Sequence, residues 1–167
     1  ARDILPIKQA TNMFTSRGCP YRCSYCFSSR FWNKVRFFSA EYVVDEIEFL
    51  YRTYGVTQIS FLDDLFAADR KRLIDILELL SHRNLIGKLT YICNVRSNMI
   101  TEDIAKMLYA MGVRIVGMGI ESASQETLEY LKGSGITVDD HVQALKILRE
   151  NGISPHPSFI IGSPYEN

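Results

Sequence analysis

Cys19, Cys23 and Cys26 fall within eight residues, in Arg17-Gly-Cys-Pro-Tyr-Arg-Cys-Ser-Tyr-Cys-Phe27. One short loop can aim three thiolates at one iron–sulfur cluster. A [4Fe–4S] cluster in an electron carrier takes four cysteines at other spacings, so a CxxxCxxC loop leaves one iron open to a further ligand. Chemistry can happen at that iron. The competing metal is a structural zinc, which expects paired CxxC spacings or a downstream His pair, whereas His82, His141 and His156 are scattered. Two disulfides would need an oxidising compartment, for which the sequence gives no sign. Cys93 is the candidate fourth ligand. Strand alternation places it with Leu89, Tyr91 and Val95 on the apolar face of its segment, where it packs as a small hydrophobe.

The elements that must position this loop are legible from periodicity. Val43, Ile47, Leu50, Tyr51 and Tyr54 share one helical face, opened by Ser39 and stopped by Gly55. A β-favouring segment, 56–62, leads into a helix carrying Leu73, Ile76, Leu77 and Leu80. The unit recurs as strand 88–96 with helix 101–111, and as strand 113–120 with helix 124–131. Gly112 and Gly133 supply the stops. Thr137 and Asp140 cap a further helix, with an apolar face of Val138, Val142, Leu145 and Ile147, before a last strand, 153–161. With 12–17 that makes five strands. Strands alternating with helices imply a parallel α/β sheet, and in such sheets ligands gather at the carboxyl ends of the strands.

CxxxCxxC after the first strand, with an aromatic residue before the third cysteine, resembles the radical S-adenosylmethionine (radical SAM) superfamily. Ser16-Arg-Gly-Cys-Pro20, Ile59-Ser-Phe-Leu-Asp-Asp-Leu-Phe66, Gly119-Ile-Glu-Ser122 and Phe159-Ile-Ile-Gly-Ser-Pro-Tyr-Glu166 look like landmarks of its cobalamin-associated and methylthiotransferase-like branch. The resemblance covers nearly the whole chain. It implies a partial (β/α)6 TIM-type barrel, with 11–167 as a core truncated after its fifth strand and 1–10 as a linker or the end of an upstream domain. It also implies a cluster on Cys19, Cys23 and Cys26 with S-adenosylmethionine on the open iron. One electron from the reduced cluster then breaks a carbon–sulfur bond, and the 5′-deoxyadenosyl radical abstracts hydrogen from a substrate.

Further residues take their expected parts from this resemblance. Asp63 or Asp64 replaces a Gly-Gly-Glu segment that meets the amino group of the cofactor; the alternative for this pair is a turn or helix cap. Arg96 suits its carboxylate, as does Lys132, which could instead serve the dipole of its own helix. Glu121 shares a strand face with Gly117 and Gly119, which leaves room for a ligand and suits ribose hydroxyls. Ser122 matches a small polar position beside it. Ser158, Ile160 and Gly162 alternate along the segment that lines the adenine, and Tyr25 lies near it. His156, on that same face, is a candidate acid or base, or a structural histidine. Arg2-Asp-Ile-Leu-Pro6 looks like the linker that follows a cobalamin domain.

The 19 basic and 19 acidic residues cancel, and no Lys/Arg run points to nucleic acid or an anionic membrane. No apolar stretch approaches the roughly 20 residues of a membrane span. The expectation is a cytoplasmic enzyme core, part of a longer protein, reduced by a one-electron donor such as flavodoxin or ferredoxin. An iron–sulfur electron carrier that ignores S-adenosylmethionine is the alternative from another class, and a zinc-stabilised module is a third.

Overall fold

The structure, a computed structural model, describes residues 10–165. The expected linker at 1–10, with its Arg2–Pro6 segment, and Glu166 therefore lie outside the described residues, apart from Ala10. Five strands form one parallel sheet in the order β1 (Ala10–Met13), β4 (Gln58–Phe61), β5 (Thr90–Val95), β6 (Val113–Glu121), β7 (Ser154–Phe159). Helices α2 (Ala40–Tyr54), α3 (Arg70–His82), α4 (Glu102–Met111) and α6 (Val138–Glu150) make the crossovers, and α5 (Gln125–Lys132) precedes α6. A separate antiparallel pair, β2 (Ser16–Arg17) and β3 (Arg36–Phe37), brackets the cysteine loop and the single turn α1 (Ser28–Phe31).

Local chemistry sets the helix ends where the sequence places them. The side chains of Ser39, Asp69, Thr101, Ser124 and Thr137 each accept a backbone N–H in the first turn of α2 to α6, satisfying donors with no partner inside the helix. Thr137 and Asp140 form the reciprocal capping box. At the end of α4, Gly112 has φ 113°, and a Cβ there would come 2.7 Å from the Leu89 carbonyl oxygen. Only glycine fits that turn between α4 and β6.

Alternation along the strands separates two faces. Ile59 and Phe61, Tyr91 and Cys93, and Val116 and Met118 are buried against the helices. The Phe61 ring stacks on Phe66 at 4.5 Å and on Tyr91 at 5.1 Å. Cys93 is fully buried there, and burial pushes its thiol well above the usual range. The opposite face presents Asn94, Gly117, Gly119, His156 and Ser158 to a cavity.

Three expectations change. The first strand ends at Met13, because the backbone N–H groups of Thr15 and Ser16 bond to the Asp63 carboxylate instead of continuing the sheet ladder. Helix α6 buries His141, Ala144 and Leu148, whereas Val142 is exposed, so its inward face is smaller and more polar than its most hydrophobic residues imply. The last strand ends at Phe159, which puts Ile160 and Gly162 beyond the alternating register. β7, one of the two outer strands among the described residues, carries Pro155 and Pro157 opposite Val116 and Met118.

Candidate cluster and cofactor site

The cysteine loop is held from three sides. At its root, Asp63 Oδ1 accepts the N–H groups of Thr15 (2.6 Å) and Ser16 (3.1 Å), and Oδ2 accepts both hydroxyls, Ser16 at 2.8 Å. Arg72, reaching in from α3, donates to the carbonyls of Thr15 (2.7 Å) and Phe38 (3.1 Å). In mid-loop, Ser24 N–H donates to the Leu131 carbonyl at the end of α5 (2.9 Å). From the side, the Tyr25 hydroxyl donates to Glu121 Oε1 at 2.7 Å, and Arg96 Nη1 lies 3.4 Å from Cys23 Sγ. The Arg96 guanidinium stacks on Tyr21 at 4.1 Å, a cation–π contact that fixes its plane.

The three thiols are unpaired and half-buried around a cavity of about 420 Å³ at the carboxyl ends of the strands. Burial pushes the Cys19 thiol up, and Asp64 and the other two thiols add to the shift. Asp64, Asn94, Arg96, Glu121, Lys132 and Ser158 share its wall. Among the described residues, no three His, Cys, Asp or Glu side chains are close enough to share one metal ion.

Lys132 and Glu121 form a buried pair. Their side chains are 5% and 8% exposed and lie 3.5 Å apart, with Lys132 Nζ also donating to the Gly119 carbonyl. Burial pulls the Lys132 ammonium below its usual range, and Glu121 opposes the shift. Glu121 sits at φ 65°, a left-handed conformation costly for a side chain of this kind, at a bulge where β6 shifts register against β7. Its carboxylate folds back over Gly119, so the room expected there for a ligand is partly taken by Glu121 itself.

The other anticipated residues divide. Asp63 is 1% exposed and turned into the loop root, while its neighbour Asp64 is exposed at the cavity, one oxygen accepting from Ser28 Oγ at 2.7 Å. Ser122 Oγ accepts Ser124 N–H (3.1 Å) and faces an adjoining groove, also lined by Ile160, on the far side of Glu121. Ser158 and His156 line the main cavity; Ile160 and Gly162 do not.

Several contributors were missed. Tyr21 gives no periodic signal because it lies in a loop. Asn94 shares the polar face of β5 with Arg96, a pattern that could have singled it out. Below the site, His141 Nδ1 lies 2.6 Å from Ser97 Oγ, with Nε2 unpartnered among the described residues. Burial first, then the Lys132 charge, lowers the His141 pKa; Arg96 adds to this, and Asp140 and Glu121 oppose it. Below pH ~6.5 the unfolded chain takes up a proton that the fold resists, so stability falls as the solution is acidified. Thermal melts of cluster-free protein should show a steeper loss from pH 7.5 to 5.5 than His141→Asn, which keeps a partner for Ser97. Parallel slopes would mean that other groups carry the dependence.

The sequence pattern of the radical SAM superfamily matches residues 13–167. The chain belongs to that superfamily. An uncharacterised methyltransferase of Pyrococcus horikoshii is 39% identical over 155 residues, covering 92% of this chain and 33% of the relative. The anaerobic magnesium-protoporphyrin IX monomethyl ester cyclase of Cereibacter sphaeroides is 32% identical over 149 residues, covering 88% and 24%. The radical SAM methyltransferase TsrM of Kitasatospora setae, solved with cobalamin and a [4Fe–4S] cluster, superposes with a TM-score of 0.82 at 24% identity, covering 93% and 30%. That likeness concerns the fold. The chain spans at most a third of these relatives' length. The radical SAM fold uses an iron–sulfur cluster and S-adenosylmethionine, and the three-thiol loop beside a mixed-charge cavity fits both. Among the described residues, no helix is long and apolar enough to cross a membrane.

Proposed function

We propose that Cys19, Cys23 and Cys26 hold three irons of a [4Fe–4S] cluster and that the adjoining cavity holds S-adenosylmethionine against the fourth. The observation that carries this reading is the convergence of three free thiols, Asp64, Arg96, Lys132 and Glu121 on one cavity. When bound, the pair supplies one-electron cleavage of a carbon–sulfur bond and a 5′-deoxyadenosyl radical that takes hydrogen from a substrate. Asp64 meets the cofactor ammonium. Arg96 and Lys132 present donors to its carboxylate, and Tyr25 positions Glu121 for the ribose hydroxyls. Ser158, which lines the cavity, is the residue of the last strand beside the adenine, whereas Ile160 and Gly162 lie outside that cavity and Asn94 and Glu121 fill the space over Gly117 and Gly119. His156, exposed at the open side, is the candidate acid or base toward substrate. Ser122 shapes the turn that carries Glu121. A cobalamin domain joined through Arg2–Pro6 is part of this reading, in keeping with relatives that are methyltransferases and cyclases.

The test is electron paramagnetic resonance on anaerobically reconstituted, dithionite-reduced protein, with metal analysis of the same sample. A reduced [4Fe–4S] signal that changes shape with S-adenosylmethionine, and is absent from Cys19/Cys23/Cys26→Ala, is expected. A signal indifferent to S-adenosylmethionine would leave an electron carrier. Zinc without iron would overturn the reading altogether.

A further inference from the structure

The balanced net charge conceals a local imbalance. From Thr15 to Ala40 there are five basic residues and no acidic one, in a chain whose charges sum to zero. Elsewhere several exposed cations pair, Arg52 with Glu48, Arg70 with Asp103 and Lys71 with Asp75, and the unpaired ones, such as Lys88 and Arg149, are scattered. Arg17, Arg22, Arg30, Lys34 and Arg36 make no ion pair among the described residues. Arg17 and Arg36 instead flank the Trp32 ring at 5.8 and 5.0 Å. Phe27 and Phe31 beside them are 69% and 61% exposed. A second cavity, of about 380 Å³, opens among these groups, lined by Arg22, Cys23, Arg30 and Asn33. Cys23 thus lines the cofactor cavity on one side and this basic cavity on the other.

We propose that this basic, aromatic face receives an acidic protein carrying a low-potential one-electron centre, and that Cys23 is the side of the cluster it serves. The proposal rests on the cluster reading above. Cleaving one carbon–sulfur bond consumes one electron, so the cluster must be refilled before each turnover: the donor loses one electron, the cluster gains one, and no bond or proton changes place in that step. Unpaired surface cations around aromatic anchors are the arrangement that steers an acidic partner and holds it, and its rate signature is sensitivity to salt.

The probe is an acidic flavodoxin hydroquinone reacted with the full-length, cluster-bearing protein by stopped flow, with flavodoxin affinity measured by fluorescence on the same samples. Cluster reduction should fall at least tenfold in Arg30→Glu/Arg36→Glu, and affinity should weaken with it. Arg30→Gln/Arg36→Gln should lie between, and the wild-type rate should drop as salt rises. Lys106→Glu/Lys146→Glu, an equal change in net charge on helices elsewhere, should leave the rate unaltered. Reduction by photochemically generated deazaflavin should be the same in every variant. Equal flavodoxin rates in wild type and Arg30→Glu/Arg36→Glu would overturn the proposal. So would parallel loss with deazaflavin, which would place the effect on the cluster itself. Protection of residues 27–36 from hydrogen exchange in the full-length protein alone would also overturn it, by assigning the face to the rest of that chain. Loss of the spectral response to S-adenosylmethionine with these kinetics intact would count against the cofactor reading only.

Discussion

Replacing Asp63 with alanine should cost about 3–5 kcal/mol of stability, the usual effect of stripping a buried charge from its partners. Four donors from Thr15 and Ser16 converge on this carboxylate, and all are buried. The Arg72 guanidinium, buried beside them, would lose one of the two negative charges that favour it, leaving Asp69. For a chain of this size the melting temperature should drop on the order of 10 °C. Asp63→Asn should be much milder. Its oxygen can keep both backbone N–H groups, and the two hydroxyls can rotate to accept from its amide. Thermal melts of the two variants decide between structural and ligand-binding parts for this residue. A cofactor-binding Asp63 predicts the reverse: little change in melting for either variant, and loss of S-adenosylmethionine binding in both.

Lys132→Met should also destabilise by about 3 kcal/mol, because it leaves the Glu121 carboxylate buried with Tyr25 as its remaining donor. Glu121→Gln/Lys132→Met should recover much of that loss, since a neutral amide beside a thioether needs no counter-charge. Urea denaturation of the four proteins in the cycle should give a coupling energy of about 1–3 kcal/mol. Additive losses would show that Glu121 and Lys132 are stabilised independently, Lys132 by the Gly119 carbonyl and Glu121 by Tyr25. S-adenosylmethionine affinity should fall in every variant of the cycle, whatever its stability.

The alternation of strands and helices was readable because caps and stops such as Ser39, Gly55, Thr137 and Gly112 act locally. The face of β5 that hides Cys93 was readable for the same reason, since period-two alternation needs no knowledge of neighbours. What escaped depends on contacts distant in sequence. Nothing near Asp63 distinguishes it from Asp64; the difference is made by Thr15 and Ser16, 48 and 47 residues away. The early end of the first strand is the same event seen from the other partner. In α6 the hydrophobic residues and the inward residues are not the same set, because Ser97 gives His141 a buried partner. Glu121 was legible as a site residue, but its left-handed backbone and bond to Tyr25 were not, because the bulge that produces them is a mismatch between two strands. The charge segregation in the cysteine loop was missed because the five cations are interspersed with apolar and polar residues and form no run.

The prolines of β7 bear on how this sheet behaves in company. Within a strand, alternate residues turn their hydrogen-bonding groups the same way, and Pro155 and Pro157 have no N–H to offer. Since β7 still registers with β6 from Ser154 to Phe159, the missing donors fall on the rim that faces away from the sheet. That rim offers carbonyl acceptors without their matching donors over half its length. Any strand laid against that rim, from the rest of a longer chain or from another molecule, could form only a broken ladder, whereas a side chain or loop that brings donors of its own could bond there.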